Sequence, residues 1–245
     1  MKDHNFRIGT LNVQGGNQPA KKQSLAEDMR SYKCDAILLT ETRIRGRKQE
    51  EEISTIDGKT KFNLITVGLD AATRYGVGII IKKDIIHDFE EVNDRICRTT
   101  IKMQNNRPNI DLVCAYAPTL PKSEKDNKIR DNFYETLSSV INKVPQRNLL
   151  LLAGDFNAQT GTGHKNNPDI IGKFGRDRLN PNGAYFIEFL RRHNLIATNT
   201  FFQQKKAHIT TWQSSKIGKD GNPTRRQLDY ICTRKEHQSI IQNSR

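Results

Sequence analysis

Four consecutive leucines, Leu149 to Leu152, constrain this chain more than any other stretch. The run is too short to cross a bilayer, which takes about 20 apolar residues. A brief apolar segment that ends at a glycine, here Gly154, predicts a strand buried on both faces in the middle of a sheet. Gly154 is expected to turn the backbone where that strand ends. Asp155 and Asn157 would then project from a rigid base. Catalytic groups need such a base, because small errors of position cost rate. Gly, Asp and Asn also favour ordinary turns, so this stretch alone leaves both readings open.

Shorter versions of the same signal recur. "FRIGTLNV", "DAILLTE", "FNLITVGL", "GVGIIIKK", "ICRTTIKM" and "IDLVCAYAP" predict strands before the leucine run, and "LIATNTFF", "HITTWQ" and "QLDYICT" after it. Helical spacing appears over Lys21 to Tyr32, with Leu25, Met29 and Tyr32 on one face. It is clearest over Lys125 to Val144, where Ile129, Phe133, Leu137, Ile141 and Val144 form a stripe. Asn182 is the expected cap of a further helix through Tyr185, Phe186, Phe189 and Leu190, ending near Asn194. Thr160 to Pro181 and Ser214 to Arg226, rich in Gly, Asn, Lys and Arg, predict loops. Many strands joined strand to strand, with few helices, exclude a repeating βαβ fold. Two mixed or antiparallel sheets with helices outside fit better. At 245 residues, with no repeat and no linker, one large domain is expected.

The 40 Lys and Arg against 27 Asp and Glu leave a formal charge of +13. A globular chain so basic is expected to meet a polyanion. A general solubility charge is the alternative. Cys34, Cys97, Cys114 and Cys232 are too far apart for a zinc knuckle or a CxxC pair, and they are expected to be reduced thiols of an intracellular protein. "MKDHNFRIG" has no apolar h-region, so no secretory signal is expected, and no apolar run reaches membrane length.

Polar groups stand at the ends of the predicted strands: Asn12 in "GTLNV", Glu41 in "LLTET", Tyr116 in "CAYAP", Asp155 and Asn157 in "AGDFN", and Thr211 and Trp212 in "ITTWQ". Asp229 lies within "RQLDYI". Each has an ordinary reading: Glu41 paired with Arg43 or Arg45, Asp229 with Arg225 or Arg226, Asn12 in a bulge before Gly15 and Gly16. Together they suggest acidic groups gathered at a sheet rim, whose repulsion a divalent cation would relieve. Carboxylate and amide oxygens without His or Cys favour Mg²⁺ or Mn²⁺. A hard ion in a basic surround suits phosphodiester hydrolysis.

In chain order, "LNVQG", "LLTETRI", "YGVGIIIKK", "AYAP", "LAGDFNAQTG", "NPNGAYFIEFLRRHNLIATNTFF", "TTWQS" and "RQLDYI" resemble the endonuclease/exonuclease/phosphatase superfamily. Within it the chain is similar to the endonuclease domains of non-LTR retrotransposons and the related craniofacial-development-protein-2-like proteins. The resemblance implies a four-layer α/β sandwich and a Mg²⁺-dependent endonuclease that nicks DNA. It places Mg²⁺ on Glu41 with Asn12 nearby. Asp155 would orient or deprotonate the attacking water, Asn157 would steady the phosphate, and Tyr116 would donate to a phosphate oxygen. Asp229 would orient a histidine, and Thr211 would help to bind the DNA backbone. Trp212 is expected in the core. Arg43, Arg45, Lys216, Lys219, Arg225 and Arg226 are candidate phosphate contacts, each with a solvated surface as its alternative. A reverse transcriptase domain in a longer parent protein, a monomeric state and a nuclear location are further expectations.

The superfamily pattern includes a Ser-Asp-His segment that no histidine of this sequence matches. The expectation is therefore either a fragment of a longer protein or a much weakened enzyme. Two other readings stand beside DNA nicking. One is an RNA or small-phosphoester hydrolase of the same fold, acting for instance on inositol phosphates or sphingomyelin. The other is a non-catalytic nucleic-acid-binding remnant.

Overall fold

The computed structural model describes residues 5–69, 74–162, 166–176, 178–217 and 221–244. Lys219, His4 and His164 lie outside the described residues. The chain divides into two compact units, residues 1–116 with 145–148, and residues 117–144 with 149–245.

The first unit is built on a five-stranded sheet. β1 (Ile8–Asn12) runs parallel to β2 (Ala36–Thr40). β5 (Val77–Lys82), β4 (Lys61–Val67) and β3 (Gln49–Ser54) follow antiparallel, in the order β1-β2-β5-β4-β3. β2 and β5 sit in the middle, and their Ile and Leu runs are buried on both faces, as the unbroken apolar pattern requires. The edge strand β3 carries Glu50, Glu51 and Glu52 in solvent. A charged edge discourages pairing with another chain. Its "QEEE" has no apolar alternation, so the sequence pattern does not predict this strand. Helix α1 (Pro19–Ser31) starts with Pro at its first position, where a missing N–H costs nothing, and buries Leu25, Ala26 and Met29 beside Phe62 and Leu64. Each large apolar side chain of this kind contributes about 1.5–3 kcal/mol of burial. Tyr32, expected on that face, lies past the helix end and is exposed. An antiparallel meander, β6 (His87–Asn93), β7 (Ile96–Ile101) and β8 (Ile110–Tyr116), packs through β7 and β8 on β2 and β5. Cys114 Sγ donates to Leu39 O at 3.3 Å across that layer.

The second unit holds α2 (Glu124–Asn142), β9 (Leu149–Asp155), α3 (Pro181–Arg192), β10 (Leu195–Ala197) and β13 (Asp229–Arg234). β13 lies antiparallel between β9 and β10. α2 is capped by Ser123, whose side chain accepts from Asp126 N, and it buries Phe133, Tyr134, Leu137, Val140 and Ile141. Ile129 of the expected stripe is exposed, because the buried face begins one turn later. Phe156 stacks on Phe186 at 4.2 Å, with Tyr230 beside them. "HITTWQ" is not one strand. A short turn of helix, α4 (Lys206–Ile209), precedes β11 (Trp212–Ile217), which pairs with β12 (Pro223–Arg226). The predicted loop Ser214 to Arg226 is thus largely a ribbon. The α/β class, with mixed sheets and flanking helices, is the one the sequence implied. All four cysteines are free, and among the described residues no helix is long and apolar enough to cross a membrane.

Candidate active site

In the first unit, β1, β2 and β8 deliver three expected residues to one cluster. Glu41 follows the last residue of β2, and its carboxylate accepts three bonds. Asn12 Nδ2 donates to Oε1 at 2.9 Å, Tyr116 Oη to Oε1 at 3.1 Å, and Arg43 Nη2 to Oε2 at 2.6 Å. Burial opposes the charge, but the bonds from Asn12, Arg43 and Tyr116 and the Arg43 cation outweigh it. They hold the Glu41 carboxyl below its ordinary value. The backbone is strained at the same place: Gln14, Glu41 and Arg43 all have positive φ (47°, 53° and 53°). For a residue with a Cβ the left-handed region costs about 1–2 kcal/mol, so the surroundings must impose it. Gly15 and Gly16 do so by donating to Glu41 O and Thr42 O, and Gly76 O accepts from Thr42 N. At Gly76, φ is +106° and a Cβ would stand 2.3 Å from Thr42 Oγ1, so no other residue fits there.

Arg95 is not legible in the sequence as a site residue. Its guanidinium carbon lies 3.8 Å from the Tyr75 ring centroid and 5.4 Å from that of Tyr116, and Nη1 donates to Tyr116 O at 3.2 Å. It braces the tyrosine that bonds Glu41. Only the register of β7 on β8 reveals this, and register is not written in either strand alone.

In the second unit, Asp155 ends β9 directly opposite Asp229 on β13. Gly154 does not end the strand as expected. β9 runs one residue further, and the turn comes at Asn157, whose φ is +48°. Asp155 Oδ1 accepts from Asn157 N at 2.9 Å, and Asn157 Nδ2 donates to Ala117 O at 2.9 Å. Asp229 is 8% exposed, and its Oδ1 has no hydrogen-bond partner. Burial first, and the charge of Asp155 second, push its carboxyl well above the ordinary value, against a bond from Thr211. Asp229 meets neither Arg225, whose Nε donates to Gln213, nor Arg226, whose Nη1 donates to Arg225 O. None of the described histidines, His87, His193, His208 and His237, bonds to it. Thr211 Oγ1 accepts from the amides of Leu228 and Asp229, so this hydroxyl organises the start of β13. Trp212, expected in the core, is 39% exposed, because among the described residues β11 pairs with β12 alone and not with a large sheet. Arg225 and Arg226 lie on β12, opposite Gln213 and Trp212.

Asp229 makes the stability of the fold depend on pH. The folded chain holds this proton more tightly than the unfolded chain does. The stability it contributes is therefore complete below the ordinary carboxyl value of 3.8 and is lost as pH rises above it. Asp229→Asn removes that loss. The Tm of the metal-free variant should exceed that of the parent at about pH 8, with the gap closing toward about pH 4. Melting curves across that range check it, and a constant gap would contradict it.

Among the described residues no group of three or more His, Cys, Asp and Glu is gathered. A cation at Glu41 would therefore rest on one carboxylate plus neutral oxygens. The donor set fits a hard divalent ion. Glu41 is held ionised and already takes one cation, the Arg43 guanidinium, whose side chain is 44% exposed.

The family model described as Endonuclease/Exonuclease/phosphatase family matches residues 9–240. Craniofacial development protein 2 from Bos taurus is 31% identical over 243 residues, covering 98% of this chain and 38% of that protein. The chain thus spans 38–39% of the length of the curated relatives it matches. The endonuclease domain of TRAS1, a telomere-specific non-LTR retrotransposon, superposes with a TM-score of 0.62 at 16% identity, over 98% of this chain and 90% of that one. The AP endonuclease LMAP from Leishmania major gives 0.65 at 14% identity, over 96% and 80%. At such identities the structural likeness is one of fold.

Proposed function

Because the chain belongs to the endonuclease/exonuclease/phosphatase family, whose model covers residues 9–240, we propose that it is a Mg²⁺- or Mn²⁺-dependent endonuclease that nicks DNA at a target site, in the manner of retrotransposon enzymes. The family is one of nucleases and phosphatases, so hydrolysis of a phosphoester is the broad activity. The observation that carries the narrower reading is the Glu41 carboxylate, held ionised by Asn12, Tyr116 and Arg43 on strained backbone. Strain of this kind persists where function requires a fixed geometry.

Glu41, with Asn12, holds the divalent cation. When bound, that cation supplies positive charge to polarise the scissile phosphate and to stabilise the leaving oxygen. Tyr116, whose hydroxyl donates to Glu41, turns that proton to a phosphate oxygen. Asp155 orients the attacking water and takes its proton. Asn157 spends one amide proton on Ala117 O and keeps the other for the phosphate. Asp229, with no histidine bonded to it among the described residues, sets the charge balance of Asp155 across the strand pair. Arg43, Thr211, Arg225 and Arg226 meet the DNA backbone, and Trp212 adds an exposed ring beside Arg226. DNA as substrate also supports a nuclear location, and the retrotransposon likeness supports a reverse transcriptase domain in a longer parent.

Supercoiled plasmid should be nicked with Mg²⁺ and left intact with a chelator. Arg225→Ala with Arg226→Ala should lower the salt slope of DNA binding by about 0.9 for each phosphate no longer neutralised, up to about 2. A chain that binds DNA and never nicks it would favour the remnant reading. Hydrolysis of inositol phosphates with intact plasmid would favour the small-phosphoester one.

A further inference from the structure

Asn182, the cap of α3 expected from the sequence, is not the cap. Asn180 holds that place, its Oδ1 accepting from Gly183 N at 2.7 Å and from Gln159 N at 3.0 Å. Asn182 sits inside the first turn, 3% exposed, with its side chain turned onto two other segments. Nδ2 donates to Pro118 O and to Asn157 O, each at 3.2 Å. Both donor protons are committed, and rotating the amide would set an oxygen against two carbonyls. Its Oδ1 is buried with no hydrogen-bond partner. An unsatisfied buried acceptor costs stability, and an apolar residue would avoid the cost. The amide is therefore kept for its donors. Gly183 serves the same close approach, since a Cβ there would meet Gln159 O at 1.9 Å.

What the two bonds hold is Asn157. Its backbone is left-handed, its N–H goes to Asp155 Oδ1, its Nδ2 goes to Ala117 O, and its own carbonyl accepts from Asn182. The Pro118 bond fixes the segment that receives Asn157 Nδ2. We infer that Asn182 is a positioning residue, which fixes the Asn157 carboxamide by clamping the Ala117–Pro118 and Asn157 backbones to the first turn of α3. This rests on the nuclease reading for its catalytic consequence, and on geometry alone for the clamp.

Two readouts separate the parts. In Asn182→Ala, exchange of the Asn157 backbone amide should quicken at least about tenfold, whatever the chain's activity. In plasmid nicking, kcat should fall about 10- to 100-fold with KM within about twofold, the size expected for a misplaced group. Asn157→Ala combined with Asn182→Ala should nick no more slowly than Asn157→Ala alone, because both act through one carboxamide. Unchanged exchange, or losses that multiply in the double variant, overturn the inference. A parent chain that does not nick overturns the proposed function instead, and the exchange result still decides the clamp. Should Asn182→Ala not fold, Asn182→Ser retains one donor. An intermediate loss of kcat then supports the clamp, and parental kcat removes it.

Discussion

Glu41→Ala is expected to lower Mg²⁺-dependent nicking by at least about 10³-fold, with DNA binding in chelator changed by less than about threefold. Among the described residues Glu41 is the one carboxylate of the first-unit cluster, and Asn12 and Tyr116 bring only neutral groups to it. Without the carboxylate, what is left is two neutral groups and the Arg43 guanidinium, which repels a cation rather than holding one. Loss of an electrostatic partner of the transition state costs about 10²–10³-fold in well-studied sites, and loss of the cation itself costs more. The alanine should also relieve little strain, because a Cβ remains on left-handed backbone at φ 53°. Folding is expected to hold, so activity and stability separate. Glu41→Gln sharpens the test. It keeps the size of the side chain and an acceptor for Asn12 and Tyr116, and it removes the charge together with the acceptor for Arg43. If Glu41→Gln nicks at more than about a tenth of the parental rate, the cation is held elsewhere and the assignment is wrong. Titration with Mn²⁺, read by metal-dependent relaxation of water, gives the same answer without catalysis.

Sequence patterns make the strand ends legible and leave cross-strand partners out of sight. Glu41 and Asp155 stand out because each follows a run of residues buried on both faces, and such runs end where a sheet meets water. The tertiary partners are a different matter. That Asn12 and Tyr116 share one oxygen of Glu41 follows from β1 lying parallel to β2 and from β8 packing on it. Nothing local to Asn12 or Tyr116 encodes either relation. Arg95 escapes for the same reason. Trp212 is misplaced by its pattern because a two-stranded ribbon and a core strand share the same alternation of side chains, and only the number of neighbouring strands tells them apart. The cap of α3 is ambiguous because "NPNG" offers two asparagines, and the proline between them decides the matter: Pro181 belongs at the first helical position, which puts the cap at Asn180. β3 is hidden because its exposed glutamates answer to the needs of an edge, not of a core.

Asp155→Asn should remove nicking, by about 10³-fold or more, and raise the Tm of the same protein. Both effects follow from one pair. Asp155 and Asp229 face each other across β9 and β13, 5% and 8% exposed. Like charges directly opposite on antiparallel strands destabilise a sheet, and burial enlarges the effect. Burial first, and the charge of Asp155 second, raise the Asp229 carboxyl above its ordinary range, so the second cause is the same repulsion seen from the other side. Asparagine at 155 keeps the acceptor for Asn157 N and removes the charge. The gain should be on the order of 1–2 kcal/mol, or a few degrees of Tm in a chain of this size. The loss of rate follows because an amide cannot take the proton of the attacking water. Asp155→Ala would lose activity as well but should gain less stability, since it also strips the acceptor from the Asn157 turn. A fold carries such a pair only where another demand outweighs stability. Equal melting temperatures for Asp155→Asn and the parent, at a pH where both carboxyls would otherwise be charged, would mean that the pair is not strained. Asp155 would then lose its claim as the base.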